Sequence, residues 1–235
     1  MKKTYESRAQ KLLKKLKRPK TEKKVERPFF IEITGSPSSG KTTMISILDP
    51  FFRRQGFRVY TPQEGAEVIR HIPRTSHLYN VRTGLYALAT LIDASVNDNY
   101  DLVIFDRCLY DTFTWMIYWL EKSDLTPREQ EIIQNFFCFP TWLNMIDAVF
   151  FVTTTAEEAI KRDQSVSLTE KFGGTTNPKS LENLVRINEA AYQQKKCLAD
   201  SPKNIFLINT SGLKITEMTE LVLSTALGAL ENRFK

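Results

Sequence analysis

The fold of this chain can be worked out from Gly35-Ser36-Pro37-Ser38-Ser39-Gly40-Lys41-Thr42-Thr43. The spacing is G-x-x-x-x-G-K-T, and its two glycines let the backbone turn tightly and approach a ligand. The N–H groups of such a loop point inward as a nest for anions, and the following helix adds its positive end. We expect loop residues 35–43 to bind the phosphates of a nucleotide, with Lys41 on the β- and γ-phosphates and Thr42 on Mg²⁺.

The flanking residues supply the order that this motif requires, namely strand, loop and helix. Residues 29–34 form an apolar run before the loop, and residues 44–48 continue as a helix. Four further strand-like runs lie at 57–61, 101–106, 148–153 and 205–209, and helical patterns separate them. Strands that alternate with helices predict an α/β/α three-layer fold around a five-stranded parallel sheet. We assign it to one domain, residues 29–235.

Charge is unevenly distributed along the 235 residues, whose net charge is +6. Residues 1–28 contain 12 Lys and Arg and 3 Glu, a charge of +9, so the rest of the chain carries −3. We call residues 1–28 the basic N-terminal arm. Its small apolar stripe of Leu12, Leu13 and Leu16 leaves three interpretations open: a solvated, partly helical tail, a contact with nucleic acid or an anionic surface, or a packing or oligomer arm. A homodimer is therefore one partner to consider.

No apolar run is long enough to span a bilayer, and the arm lacks the apolar stretch of a secretory signal. The three cysteines, Cys108, Cys138 and Cys197, are widely separated and odd in number. That pattern argues against a disulfide framework and favours a reducing, cytoplasmic location.

Carboxylates after two strands are the candidates for chemistry. Asp106 ends an apolar run, which is the Walker B arrangement that orients Mg²⁺ near Thr42. Arg107 follows directly and is suited to a phosphate oxygen. Glu64 comes just past the second strand, at the ligand-binding edge of a parallel sheet, so we expect it to meet the substrate. Glu67 is the alternative.

Basic residues further along supply candidate phosphate contacts. A helix from about His77 to Val96 is predicted with an apolar face of Leu78, Val81, Leu85, Leu88, Ile92 and Val96. Arg82 and Tyr86 lie one turn apart on its flank, and Arg70 and Arg74 precede it. Together these four are candidate substrate ligands. Residues 162–178 are predicted to form a mobile lid, with Arg162 closing over the transferring phosphates.

Taken together, these motifs resemble the P-loop nucleoside and nucleoside-monophosphate kinase family, most closely thymidylate kinases and deoxynucleoside kinases. The resemblance covers residues 29–232 and rests on the loop, the Asp106-Arg107 pair, the lid and Asn209-Thr210-Ser211. It implies a sheet order of 2-3-1-4-5, ATP with Mg²⁺, and transfer of the γ-phosphoryl group to a nucleoside or nucleoside monophosphate. It also implies that Thr210 and Ser211 lie near adenine, that Glu64 faces the acceptor and that Arg107 contacts its phosphate or the transferring one.

Two other functions stay open at this point. One is a polynucleotide 5′-hydroxyl kinase in which the basic arm tracks the strand. The other is a nucleotide-binding switch or scaffold that hydrolyses ATP slowly and acts through a partner.

Overall fold

The computed structural model describes residues 2–16, 27–166, 177–194 and 204–234. Five strands pair in parallel in the order β2-β3-β1-β4-β5, which confirms the predicted topology. Their bounds are β1 Phe29–Gly35, β2 Val59–Tyr60, β3 Leu102–Asp106, β4 Ala148–Thr153 and β5 Ile205–Asn209. The carboxyl ends of β1 and β3 lie side by side, with Ile33 opposite Asp106. The loop after β1 therefore starts next to Asp106.

Helices cover both faces of this sheet. Their bounds are α1 Lys2–Leu16, α2 Lys41–Arg54, α3 Gly65–Val68, α4 His77–Ser95, α5 Leu109–Glu121, α6 Pro127–Phe137, α7 Pro140–Leu143, α8 Ala156–Val166, α9 Pro178–Gln193 and α10 Ile215–Asn232. Pro127 and Pro140 each stand first in a helix, where the missing N–H of proline is not needed. None of the described helices is both long and apolar enough to cross a membrane.

Strand β1 supplies apolar side chains to two separate cores, one on each face of the sheet. Ile31 and Ile33 pack with residues of α1, α2 and α10, whereas Phe30 packs with residues of α4, α5 and α9. A strand covered on both faces reads as a continuous apolar run, which is why this one could be recognised in the sequence. Glu32 is the exception in that run, because it is an ionisable residue whose side chain is fully buried.

The described part of the basic arm is helix α1, and its apolar face packs inside the molecule. Ala9, Leu12 and Leu16 are buried in the same core as α10. The Arg8 guanidinium donates from Nε and Nη2 to the Glu231 carboxylate, at 2.8 and 3.0 Å. Of the three interpretations of the arm, this helix fits packing. Residues 17–26 lie outside the described residues.

The predicted apolar face of α4 is right at Leu88, which is buried, and at Val81, which packs against the core, but it is wrong at its other four positions. Leu78, Leu85, Ile92 and Val96 are exposed, with Val96 at 82%. The buried residues of the helix are instead Tyr79, Asn80, Gly84, Ala87, Leu88, Leu91 and Ala94. The helix is rotated because it packs against α5 through small side chains and lines a cavity there.

The cysteines also depart from expectation. Cys108 is a buried free thiol, but Cys138 is disulfide-bonded. The prediction against disulfides is therefore wrong at Cys138, and the cytoplasmic location stays a prediction.

Candidate functional site

The phosphate-binding loop joins the end of β1 to the start of α2. Gly35 and Gly40 have φ of 152° and 102°, and a Cβ on Gly35 would overlap the carbonyl oxygen of Val152. Ser38 also has a positive φ, at 57°. Since side chains disfavour these angles, the glycines are required for the loop to turn beneath a ligand. The loop thus has the backbone of an anion nest at the positive end of α2.

Polar atoms inside this loop fit a nucleotide and its metal. Lys41 is buried and donates from Nζ to the carbonyl oxygen of Ser36 at 2.8 Å. Burial, together with the charge of Arg107, lowers the pKa of Lys41 to about 8. Among the described residues, the buried Oγ atoms of Ser36 and Ser39 and Oδ1 of Asp106 have no hydrogen-bond partner. Unpartnered buried oxygens next to such a loop suit a bound phosphate and cation.

Arg107 connects two carboxylates at the sheet edge. Its φ is 66°, and its backbone N–H donates to the carbonyl of Ile33 at 3.0 Å. Its Nε lies 2.9 Å from Oε1 of Glu64 and its Nη1 lies 2.6 Å from Oδ1 of Asp111. Burial raises the pKa of both Glu64 and Asp106, while Arg107 and Lys41 act in the opposite direction. The centre therefore holds ionisable groups tuned away from their usual pKa values, as is typical of active sites.

Glu32 holds the start of α5 in place beneath this centre. Its carboxylate accepts the backbone N–H groups of Cys108, Tyr110 and Asp111, at 2.9, 3.1 and 2.9 Å. Burial raises the pKa of Glu32 to about 7, although these three hydrogen bonds lower it. A carboxylate at a helix N-terminus is favoured by the dipole. Glu32 is therefore a buried support for the segment that carries Arg107 and Asp111.

A cavity of about 970 Å³ opens next to Arg107, and we call it the α4–α5 cavity. Its walls combine aromatic, carboxylate and small polar side chains. They include Pro37 of the loop, Glu64, Glu67, Arg74, Tyr79, Asn80, Thr83, Gly84, Arg107, Asp111, Thr112, Trp115, Tyr118, Trp119 and Lys122. A large pocket with aromatic walls and a few polar groups is the usual form of a small-molecule site.

The predicted acceptor ligands separate into two groups. Glu64, Glu67 and Arg74 line the cavity, and of the two glutamates Glu64 forms the pair with Arg107. Arg74 donates to the backbone carbonyl of Ala66 and lies over the ring of Tyr79.

Arg70, Arg82 and Tyr86 do not line the cavity. Arg70 instead donates to the carbonyl of Glu67 on the surface, at 2.8 Å. Arg82 and Tyr86 are displaced because α4 presents a different face from the predicted one. The expected grouping of these side chains in one pocket is therefore not observed.

Arg162 lies on the other side of the loop. Its guanidinium donates to Glu158 Oε2, to Thr210 Oγ1 and to the Thr210 carbonyl, each at 2.9 Å. Thr210 in turn donates from Oγ1 to the carbonyl of Ser39 at 2.8 Å. Thr210 thus bonds directly to the phosphate-binding loop, and Arg162 is joined to the loop through Thr210. Ser211 lies beside Thr210, and its Oγ accepts the backbone N–H of Thr155. Residues 167–176 of the predicted lid lie outside the described residues.

Several residues at this centre were not identified from the sequence. Asp111, Asn80 and Thr112 line the cavity because helices α4 and α5 face one another, which no motif reports. Trp115, Tyr118 and Trp119 also line it; the sequence indicated mostly core or subunit contact for the aromatic side chains of this segment, with base stacking left open for one of them. The sequence features that could have indicated this cavity are the acidic residue Asp111 and the aromatic residues clustered around it.

Comparisons with known proteins agree with this architecture. A family model described as an AAA domain matches residues 30–177, well over half of the chain. A thymidylate kinase of Bartonella quintana (strain Toulouse) is 47% identical over 49 residues, which are 19% of this chain. The match spans 23% of that relative's length.

Solved structures of a deoxyadenosine kinase from M. mycoides share the fold. With dCMP and dCDP bound, the TM-score is 0.60 at 18% identity, over 85% of this chain and all of that one. With dATP bound it is 0.58 at 18% identity, over 84% and 98% of the two chains. The fold expected from the resemblance to P-loop nucleoside kinases is therefore confirmed.

Proposed function

This chain belongs to the family described as an AAA domain, and we propose that it is an ATP-dependent kinase acting on a nucleoside. The observation that carries the proposal is the ion pair between Glu64 and Arg107, where the α4–α5 cavity meets the phosphate-binding loop. A donor held by the loop and an acceptor held in the cavity would meet at this pair. Burial raises the pKa of Glu64, so the Glu64 carboxylate is suited to accept a proton from an acceptor hydroxyl.

The loop residues would hold and neutralise the donor. Backbone amides of residues 36–42 and the Lys41 ammonium bind the phosphates, and Thr42 with Asp106 holds Mg²⁺. Bound Mg²⁺ supplies positive charge that stabilises the transferring phosphoryl group. Arg107 adds charge from the acceptor side, and Arg162 contributes from α8 beside Gly40. Phosphoryl transfer needs this positioning and neutralisation more than covalent chemistry.

The charges around Arg107 favour a nucleoside over a monophosphate as acceptor. Glu64, Glu67 and Asp111 all line that end of the cavity, whereas Arg107 is already paired with Glu64 and Asp111. A phosphate brought there by the acceptor would face several carboxylates, and like charges at short range repel. Among the basic residues expected to grip such a phosphate, Arg74 lines the cavity and Arg70 and Arg82 do not.

A nucleoside monophosphate is the second candidate acceptor, because the curated relative is a thymidylate kinase. In that case Arg74 and Arg107 would bind the acceptor phosphate. A polynucleotide 5′-hydroxyl kinase and an ATPase switch differ from both candidates in their products. The first would yield a 5′-phosphorylated oligonucleotide, and the second would yield ADP and free phosphate.

Two separate incubations test the proposal, one with Mg²⁺, ATP and nucleosides and the other with Mg²⁺, ATP and nucleoside monophosphates, because a supplied monophosphate has the same mass as the expected product. We expect ADP release that depends on nucleoside, and a monophosphate product identified by mass. Lys41→Ala is the matched control and should lose at least ~10²-fold in rate, since it removes charge at the phosphates. Diphosphate products alone would favour the second candidate. ADP release that no acceptor stimulates would contradict both kinase functions.

A further inference from the structure

A small cavity of about 10 Å³ lies between the phosphate-binding loop, α5 and α9, and we call it the α5–α9 cavity. Its polar walls come from Ser36 in the loop, Arg107 before α5, Asp111 and Thr114 on α5, and Asn188 on α9. A volume of this size is close to the least that admits one water molecule. Arg107 and Asp111 also line the much larger α4–α5 cavity, so the small cavity adjoins the proposed catalytic centre.

The side-chain amide of Asn188 brings an unpaired acceptor to this cavity. Its Nδ2 donates to the backbone carbonyl of Leu184 at 2.8 Å, which fixes the orientation of the amide. A flip of the amide would set two acceptors against each other. Asn188 is 4% exposed, and its Oδ1 has no hydrogen-bond partner among the residues that the structure describes. A buried acceptor left unpaired destabilises a fold, so Oδ1 calls for a donor.

The hydroxyl of Ser36 is the complementary group. Its Oγ is also buried and without a partner in the described part of the chain, and a hydroxyl can donate. Ser39 and Asp106, whose buried oxygens are unpartnered too, do not line this cavity. The backbone carbonyl of Ser36 accepts from the Lys41 ammonium at 2.8 Å. The orientation of Ser36 therefore affects where Lys41, the proposed ligand of the donor phosphates, is held.

We propose that one water molecule in the α5–α9 cavity joins Ser36 to Asn188, which makes Asn188 a positioning residue for the phosphate-binding loop. The water accepts from Ser36 Oγ and donates to Asn188 Oδ1, and its second hydrogen is directed at the Asp111 carboxylate. Three hydrogen bonds are the usual number for a buried water. The bridge connects α9 to the loop. This inference rests on one part of the proposed function, the binding of ATP by that loop.

Loss of the bridge should weaken nucleotide binding more than it slows the chemical step. Without its partner the Ser36 side chain can rotate, so the loop and Lys41 are less well ordered for the phosphates before binding. Asn188→Leu removes the acceptor at similar volume, and Ser36→Ala removes the donor alone. We expect each to raise the Kd of a non-hydrolysable ATP analogue about five- to tenfold by calorimetry. The kcat at saturating ATP should stay within about threefold of the native value.

A double-variant cycle tests whether the two side chains act through one bridge. If they do, the double variant should bind the analogue at most about twofold more weakly than the weaker-binding single variant. Asn204→Leu is the matched control, because Asn204 is also a buried asparagine but does not line the cavity and donates to the carbonyl of Asp147 before β5. It should keep the native Kd.

A crystal structure of the native protein gives a direct readout. We expect a water within about 3.2 Å of both Ser36 Oγ and Asn188 Oδ1. A dry cavity, or a native Kd in both single variants, would overturn the inference and leave the kinase proposal standing. Losses that multiply in the double variant would also contradict it. If the native protein bound no ATP analogue, the kinase proposal itself would fail.

Discussion

Nε of Arg107 lies 2.9 Å from Oε1 of Glu64, where the α4–α5 cavity meets the phosphate-binding loop. Glu64 is therefore the carboxylate best situated to orient an acceptor hydroxyl. Glu64→Gln keeps the size of the side chain but removes the base, so we expect kcat to fall about 10²-fold or more. Rates with the best nucleoside at saturating Mg²⁺ and ATP measure this.

The pH profile distinguishes a base from a purely structural carboxylate. A base works only when ionised, so activity should fall as pH decreases through the pKa of Glu64, which burial raises above its usual value. The Gln variant should lose that part of the acid limb. Glu67→Gln is the control, because Glu67 lines the same cavity without pairing to Arg107, and it should stay within about threefold of the native rate. Equal losses in the two variants would count against the assignment.

Glu32 makes stability depend on pH in a definite direction. Its folded pKa of about 7 exceeds the usual value, so its contribution to stability is complete below about pH 4.5 and is lost as pH rises through 7. Glu32→Gln cannot titrate, so the difference in unfolding free energy between variant and native should change by up to about 3 kcal/mol from pH 4.5 to 8. Urea unfolding at several pH values gives this difference. Parallel curves for the two proteins would refute it.

Much of this architecture was accessible from the sequence because its signals are local. The bounds of β4 and β5 match those predicted, since short apolar runs between polar segments specify buried parallel strands. The loop glycines could be assigned because their spacing has a backbone reason. Both kinds of evidence depend on neighbours along the chain.

The predictions that failed concern features that depend on contacts between segments distant in the sequence. Helix α4 has two faces with apolar residues, and periodicity selected the one with Leu78, Leu85 and Ile92, which is exposed. Packing on α5 chose the other face, where Gly84 and Ala87 allow a close approach. The role of Glu32 could not be foreseen either, because its partners lie 76 to 79 residues away.

Gly84 is expected to be essential for the packing of α4 on α5. A Cβ there would overlap Thr112 Oγ1 and lie 2.9 Å from two ring atoms of Phe137, in a region of buried side chains. Gly84→Ala should therefore destabilise the fold by about 1–3 kcal/mol, even though alanine favours helix. Urea unfolding at constant pH measures the change.

Gly228→Ala is the matched control for this substitution. Gly228 also lies inside a helix, α10, but a Cβ there meets nothing within 4 Å. The same exchange should then stabilise the protein by about 0.5–1 kcal/mol through helix propensity alone. If Gly84→Ala stabilised the protein as well, backbone propensity and not packing would govern Gly84.

Helix α1 is expected to contribute to the stability of the domain. Leu12 is 3% exposed and packs in the core shared with α10, so Leu12→Ala should cost about 2–4 kcal/mol through lost burial and the cavity left behind. Lys11 is its exposed neighbour on the same helix, and Lys11→Ala should stay within about 0.5 kcal/mol. Thermal and urea unfolding of the full chain measures the change in stability of both variants. A dispensable tail would give no effect in either variant, whereas an arm that only binds a polyanion would respond to Lys11 in salt-dependent binding and not to Leu12 in stability.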